Sequence, residues 1–174
     1  FILRQNLLLT IRFTEFYSFD RVRGELVRGV ESGTPQRIFC NILDEAKSDR
    51  ADDLEFSMRH MEELTSQLFI GKPQRMQASP DSPELDDALI YIAAVGERVS
   101  NVRESIASMQ RVLNFSQTYV PHSWMKEEVL IIQSLRNDLT ALSDEAAFFM
   151  NKLSFNLDAT LGMINVEETK IMRV

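Results

Sequence analysis

Residues 85–113 read LDDALIYIAAVGERVSNVRESIASMQRVL, and their apolar side chains recur every seven residues in two interleaved series. The first series is Leu85, Ile92, Val99, Ile106 and Leu113, and the second is Ala88, Val95, Val102 and Met109. Such a heptad repeat is typical of long helices that pack side by side. It predicts a long α-helix whose continuous apolar seam faces another helix.

A second long helix is predicted immediately upstream. Thr34 supplies an N-cap, and Pro35 occupies the first helical position, where its missing N–H leaves no bond unmade. The helix should run to about Phe69, before Gly71 ends it. Its apolar positions are mostly three or four residues apart: Ile38, Ile42, Leu54, Met58, Met61, Leu64 and Leu68. We expect the two helices to form an antiparallel hairpin that occupies residues 34–120.

The heptad pattern continues downstream in a third helix, predicted from about Ser123 to the last residue. Its apolar positions are Ile132, Leu135, Leu139, Leu142, Ala146, Phe149 and Leu153. About 50 residues of helix would be roughly 75 Å long, which exceeds the size of a compact domain of this mass. A helix of this length needs partners, either other subunits or a membrane continuation. We therefore treat residues 121–174 as a separate stalk helix.

Residues 1–33 have a different pattern. Two runs rich in branched apolar residues flank Gln5 and Asn6, which predicts a β-hairpin, and a short helix is expected over Phe19–Val30. Two strands alone are marginal in water, so they should belong to a larger sheet. The predicted fold class is α+β and predominantly α, with residual N-terminal strands, a long antiparallel helical hairpin and a very long stalk helix.

Composition excludes several function classes. A net charge of −7 argues against nucleic-acid binding, which requires clustered basic residues. Cys40 is the sole cysteine, so neither an internal disulfide nor a cysteine zinc site is expected, and His60 and His122 are isolated. No apolar run approaches the roughly 18 residues of a transmembrane helix. The absence of phosphate-loop, nucleophile-elbow or metalloprotease motifs predicts that the chain is not an enzyme.

The end of the stalk helix carries the most specific motif. Residues 152–174 read KLSFNLDATLGMINVEETKIMRV, which closely resembles the stalk run that leads CorA magnesium and cobalt transporters into their first transmembrane helix. The matching positions are Lys152, Phe155, Ala159, Gly162, Ile164, Asn165, Glu167 and Ile171. Upstream, QRVLNF at 110–115 and ILDE at 42–45 resemble further family segments. The resemblance covers essentially the whole chain in the family's order.

This resemblance implies the cytoplasmic domain of a homopentamer at the cytoplasmic face of the inner membrane, with this fragment soluble. The chain starts in a strand-like run and ends within the stalk run, so we expect further N-terminal sequence and the membrane helices to lie outside it. The transported and regulatory ion would be Mg²⁺, with Co²⁺ as a second candidate. Two alternatives stay open: a zinc transporter of the ZntB type, and a soluble coiled-coil interaction module.

Spacing and resemblance together select a candidate pore-lining set: Asp158, Asn165, Thr169 and Met172. Steps of seven, four and three place these residues on one helix face, which would become a series of rings around a fivefold axis. A carboxylate ring at Asp158 would concentrate divalent cations, and Asn165 and Thr169 would bond to the water shell of magnesium. The family usually has Asn at the position of Thr169, and this departure retains a side-chain oxygen.

A candidate regulatory Mg²⁺ site lies at Asp138. The segment LRND at 135–138 resembles a family segment whose carboxylates bind regulatory magnesium between subunits. Cations that bridge such carboxylates would favour the closed state, because a ligand stabilises the state that binds it better. Acidic clusters on the hairpin, including Asp44, Glu45 and Asp49, are expected to be solvated faces, partly paired with Lys47 or Arg50.

Overall fold

The computed structural model describes residues 1–4, 6–29, 33–70, 83–119 and 124–172. Within these residues the elements follow in the order β1, β2, α1, α2, α3 and α4. Their bounds are Ile2–Arg4, Leu7–Leu9, Tyr17–Val27, Pro35–Thr65, Pro83–Tyr119 and Lys126–Ile171. A short π-helical segment, Ser66–Ile70, directly continues α2. The predicted fold class, predominantly α with a residual N-terminal strand pair, is confirmed.

The two strands form an antiparallel ladder in which Ile2 pairs with Leu9 and Arg4 with Leu7. The hairpin prediction is therefore confirmed, although Gln5 of the expected turn lies outside the described residues. Several of the apolar strand side chains are exposed. The ring of Phe1 nevertheless stacks on Phe19 of α1, with their centroids 5.9 Å apart.

The first turn of α2 is capped as the sequence predicts. The backbone N–H of Arg37 donates to Thr34 Oγ1 at 3.1 Å, which satisfies one of the free N–H groups of the helix start. The buried face of α2 contains Phe39, Cys40, Ile42, Leu43, Leu54, Ser57 and Met61. Ile38, Met58, Leu64 and Leu68, expected on this face, are only half-buried.

Helices α3 and α4 bury the predicted seams almost residue for residue. Buried positions in α3 alternate in steps of four and three: Ala88, Ile92, Val95, Val99, Val102, Ile106, Met109, Leu113 and Ser116. The corresponding series in α4 is Glu128, Ile132, Leu135, Leu139, Leu142, Ala146, Phe149, Leu153, Asn156 and Thr160. Leu85, the first member of the predicted seam, is half-buried. The alternation is that of coiled-coil core positions.

The chain divides into two compact units, and each takes segments from α2, α3 and α4. Unit 1 comprises Phe1–Asp52 and Glu104–Ser143, and unit 2 comprises Asp53–Arg103 and Asp144–Val174. The start of α2 and the end of α3 share unit 1, as an antiparallel hairpin requires. The predicted division at 33/34 and 120/121 stays a prediction, and residues 120–123 lie outside the described part of the chain.

Candidate functional site

The four residues predicted to line a permeation pathway lie in or directly after the last turns of α4. Asp158, Asn165, Thr169 and Met172 are all exposed. With 3.6 residues per turn, about 100° per residue, the four side chains fall within about 60° of arc. The buried residues Asn156 and Thr160 lie about 160° around the helix from Asp158. These four residues, which we call the polar stripe, therefore lie on the side of α4 opposite to its packed face.

The backbone of this stripe stays helical to its end. Met172 follows the last residue of α4, and its N–H donates to Glu168 O at 3.1 Å. The hydroxyl of Thr169 donates to Asn165 O at 2.8 Å, which leaves the oxygen lone pairs of Thr169 as acceptors. The stripe thus presents a carboxylate, an amide, a hydroxyl and a thioether in succession along one side of the helix. Carboxylate, amide and hydroxyl oxygens are suited to a hydrated magnesium ion.

Asp138, the candidate regulatory ligand, is held by an ion pair inside unit 1. Its Oδ2 accepts a hydrogen bond from Lys47 Nζ at 3.3 Å, and the same ammonium donates to Asp44 Oδ1 at 2.7 Å. The Lys47 side chain is only 19% exposed, whereas those of Asp138 and Asp44 are 48% and 56% exposed. One ammonium from α2 therefore bridges a carboxylate of its own helix and one of α4.

The environment keeps Lys47 charged. Burial, the largest single influence, lowers the pKa of Lys47 because it disfavours an ammonium. The hydrogen bonds and negative charges of Asp44 and Asp138 outweigh that effect, and the net result is a pKa above the ordinary lysine value. Lys47 therefore stays protonated at neutral pH, with its ammonium in hydrogen-bonding distance of both Asp44 and Asp138.

A metal ion at Asp138 would compete with this arrangement. Among the described residues, no group of three or more His, Cys, Asp or Glu side chains converges in a way that could hold a metal. Magnesium, however, is often bound through only one or two carboxylates together with water. Asp138 offers one such carboxylate, and the ammonium of Lys47 already lies 3.3 Å from its Oδ2.

The remaining acidic residues of the hairpin are partly neutralised by neighbours. Glu45 pairs with Arg21 of α1, and Asp49 accepts a hydrogen bond from Ser18 of the same helix. Lys47, expected to pair with some of these acidic residues, lies 2.7 Å from Asp44 Oδ1. These contacts with α1 link residues more than twenty positions apart, so helical spacing alone did not reveal them.

Neither Cys40 nor His60 forms a reactive or metal-binding site. Cys40 is fully buried. Burial, with the charge of Glu128 as a second cause, raises the pKa of its thiol to about 12. His60 Nδ1 lies 2.9 Å from Phe56 O, and its ring packs on the Phe56 ring. His122 lies outside the described residues.

Together these features define a class: a helical stalk domain in which one very long helix carries an ordered polar stripe opposite its core. The family model for the CorA-like Mg²⁺ transporter protein matches residues 1–174, and the chain belongs to this family. The resemblance read from residues 152–174 is thereby confirmed. A transporter family also agrees, at the level of class, with the prediction that the chain is not an enzyme.

The curated relatives carry the same family name. "Magnesium transport protein CorA" of Haemophilus influenzae (strain ATCC 51907) is 25% identical over 177 residues, covering 99% of this chain and 52% of the relative. "Magnesium transport protein CorA" of Escherichia coli (strain K12) is 23% identical over 178 residues, covering 100% of this chain and 52% of the relative. The chain thus spans about half the length of the curated relatives it matches. In the part of the chain that the structure describes, every helix lacks an apolar stretch of the length that a bilayer span requires.

Proposed function

We propose that residues 1–174 form the cytoplasmic gating and sensing domain of a homopentameric divalent-cation channel. Mg²⁺ is the proposed principal ion and Co²⁺ a second candidate. The domain would lie at the cytoplasmic face of the inner membrane and would be joined to it by helices that follow α4. Family membership and the names of the relatives support the class of ion and the link to a membrane.

The observation that carries the proposal is the position of the polar stripe on α4. Its members lie opposite the packed face of the helix, so they remain available to a shared axis. Five copies of one exposed face, turned toward such an axis, become a stack of rings. Rings of carboxylates and neutral oxygens are how channels attract and coordinate cations.

Each ring would have a distinct task. The five Asp158 carboxylates would concentrate hydrated cations at the mouth of the pathway. Asn165 and Thr169 would bond to the water shell, because magnesium gives up its water reluctantly. Met172 would supply an apolar ring, and apolar rings can close a pathway by excluding water.

Asp138 is the proposed sensor. A cation bound there between neighbouring subunits would stabilise the closed arrangement of the channel. Loss of the cation would remove that stabilisation and favour opening. The exposure of about half of the Asp138 side chain is compatible with access by a hydrated ion. The ammonium of Lys47 already partly neutralises the Asp138 carboxylate, so it should affect how strongly a cation binds there.

The direct test is a chimera in which residues 1–174 replace the matched region of the Escherichia coli relative. Reconstituted in vesicles, a pentameric chimera should take up Mg²⁺, measured with an entrapped fluorescent indicator. Parallel assays with Co²⁺ and Zn²⁺ separate the magnesium function from the zinc alternative. A chimera that assembles as a pentamer and moves none of these ions would contradict the proposal and favour an interaction module.

A further inference from the structure

The ammonium of Lys47 is shared unequally between its two carboxylates. It lies 2.7 Å from Asp44 Oδ1, three residues away on the same helix, and 3.3 Å from Asp138 Oδ2 on α4. The shorter contact is local, because residues three apart on a helix face each other. The longer one joins two helices, so Asp138 is the carboxylate that Lys47 can release at lower cost.

We propose that Lys47 is a built-in counter-cation that competes with Mg²⁺ for Asp138 and so sets the Mg²⁺ concentration at which the sensor responds. This inference rests on the proposed function of Asp138. Lys47 and Mg²⁺ cannot both contact the Asp138 carboxylate without strong repulsion, because the ammonium and the divalent ion are both positively charged. Bound Mg²⁺ would displace Lys47 from Asp138 and leave it on Asp44.

Two features suit this exchange. The carboxylates are about half exposed, so a hydrated cation can reach them, whereas the Lys47 side chain is largely covered. Lys47 would keep its closer contact with Asp44 after the exchange, so its ammonium would not lose both partners when a metal ion takes Asp138. Lys47 therefore raises the Mg²⁺ requirement of the site.

The test is a Mg²⁺ titration of the pentameric chimera, in which Asp138 lies in an assembled domain, followed by the melting temperature and by protection from limited proteolysis. Lys47→Met keeps the length of the side chain and removes its charge, and should lower the Mg²⁺ midpoint about tenfold. Lys47→Arg, which retains the charge, should keep the wild-type midpoint. Asp138→Asn should abolish the saturable response, both alone and combined with Lys47→Met.

Lys152 offers a matched control. It also links α4 to α2, with Nζ 2.9 Å from Glu62 Oε1, and it does so in unit 2, apart from Asp138. Lys152→Met removes the same charge and the same kind of pair, and should leave the Mg²⁺ midpoint unchanged. An equal shift in both lysine variants would indicate a general charge effect and would overturn the competition.

The variants separate the competition with Lys47 from the sensor role of Asp138. If Asp138→Asn abolishes the response but Lys47→Met keeps the wild-type midpoint, Asp138 is a sensor and the competition with Lys47 is refuted. If the pentameric chimera with wild-type residues 1–174 shows no response, Lys47→Met should gain one that Asp138→Asn removes; no gain refutes the competition. A response that survives Asp138→Asn refutes both the sensor and the competition, while vesicle transport by the chimera judges the channel function separately.

Discussion

The hydroxyl of Thr34 hydrogen-bonds to the carboxylate of Glu128, a residue 94 positions further along the chain. Thr34 Oγ1 also accepts from the N–H of Arg37 and so caps α2. The other oxygen of Glu128 accepts from the N–H of Met125 at 2.9 Å, which caps α4. One hydrogen-bonded pair therefore accepts a backbone N–H at the start of each of two helices in unit 1 and joins the two helix starts.

Glu128→Ala should lower the free energy of unfolding by about 2–3 kcal/mol, because it removes a helix cap and a buried hydrogen bond together. Urea denaturation of the 174-residue chain measures the loss. Glu127→Ala is the matched control, since Glu127 is exposed in the same first turn and should change stability by less than about 0.5 kcal/mol. Equal effects of the two substitutions would show that Glu128 acts only through the helix dipole.

Only one member of the Thr34–Glu128 pair could be predicted from the sequence. The role of Thr34 as an N-cap was predictable, because a capping residue followed by proline acts on its own helix. Glu128 was not, since its partner depends on how α4 packs. The same holds for Lys47: its contact with Asp44 follows helical spacing, whereas its contact with Asp138 depends on packing between helices.

Periodicity predicted the seams of α3 and α4 well because packing there follows one repeat throughout. On α2 the pattern was less regular, and the prediction of Met58 as a core residue was only partly correct. Ser57 is the residue buried there, and its hydroxyl donates to Asp53 O at 2.8 Å. A serine satisfied by its own helix can be buried at little cost, and hydrophobicity gives no sign of this.

Two adjacent phenylalanines of α4 should respond oppositely to truncation. Phe149 is 0% exposed and Phe148 is 67% exposed. Phe149→Ala should lower the free energy of unfolding by about 3–5 kcal/mol through lost burial and a residual cavity. Phe148→Ala should change it by less than about 0.5 kcal/mol. Urea denaturation checks both, and a large loss at Phe148 would contradict the orientation of α4.

The Cys40 thiol should be unreactive in the folded chain. Because burial raises the pKa of Cys40 to about 12, almost no thiolate is present at pH 8, and thiolate is the reactive form. A disulfide reagent should label Cys40 slowly in buffer and rapidly in denaturing urea. Fast labelling of the fully folded chain would show that Cys40 is accessible.

The same group predicts an alkaline loss of stability. The folded pKa of Cys40 lies above the unfolded value, so its stabilising contribution is complete below about pH 9 and decreases as pH rises toward 12. The free energy of unfolding should therefore fall more steeply with pH in this window than it does for Cys40→Ala. Parallel curves for the two proteins would contradict the assigned burial of the thiol.

Removal of the Asp158 carboxylate should lower cation uptake by the chimera most strongly at low Mg²⁺. One substitution removes five charges from the proposed ring, so Asp158→Asn should reduce uptake roughly tenfold at submillimolar Mg²⁺ and much less at saturating Mg²⁺. Glu145→Gln is the matched control, because Glu145 is exposed on α4 about 140° around the helix from Asp158. High salt should narrow the difference between wild type and Asp158→Asn, since ions screen exposed charges. A comparable loss in Glu145→Gln would mean that overall negative charge, and not a ring at Asp158, governs cation entry.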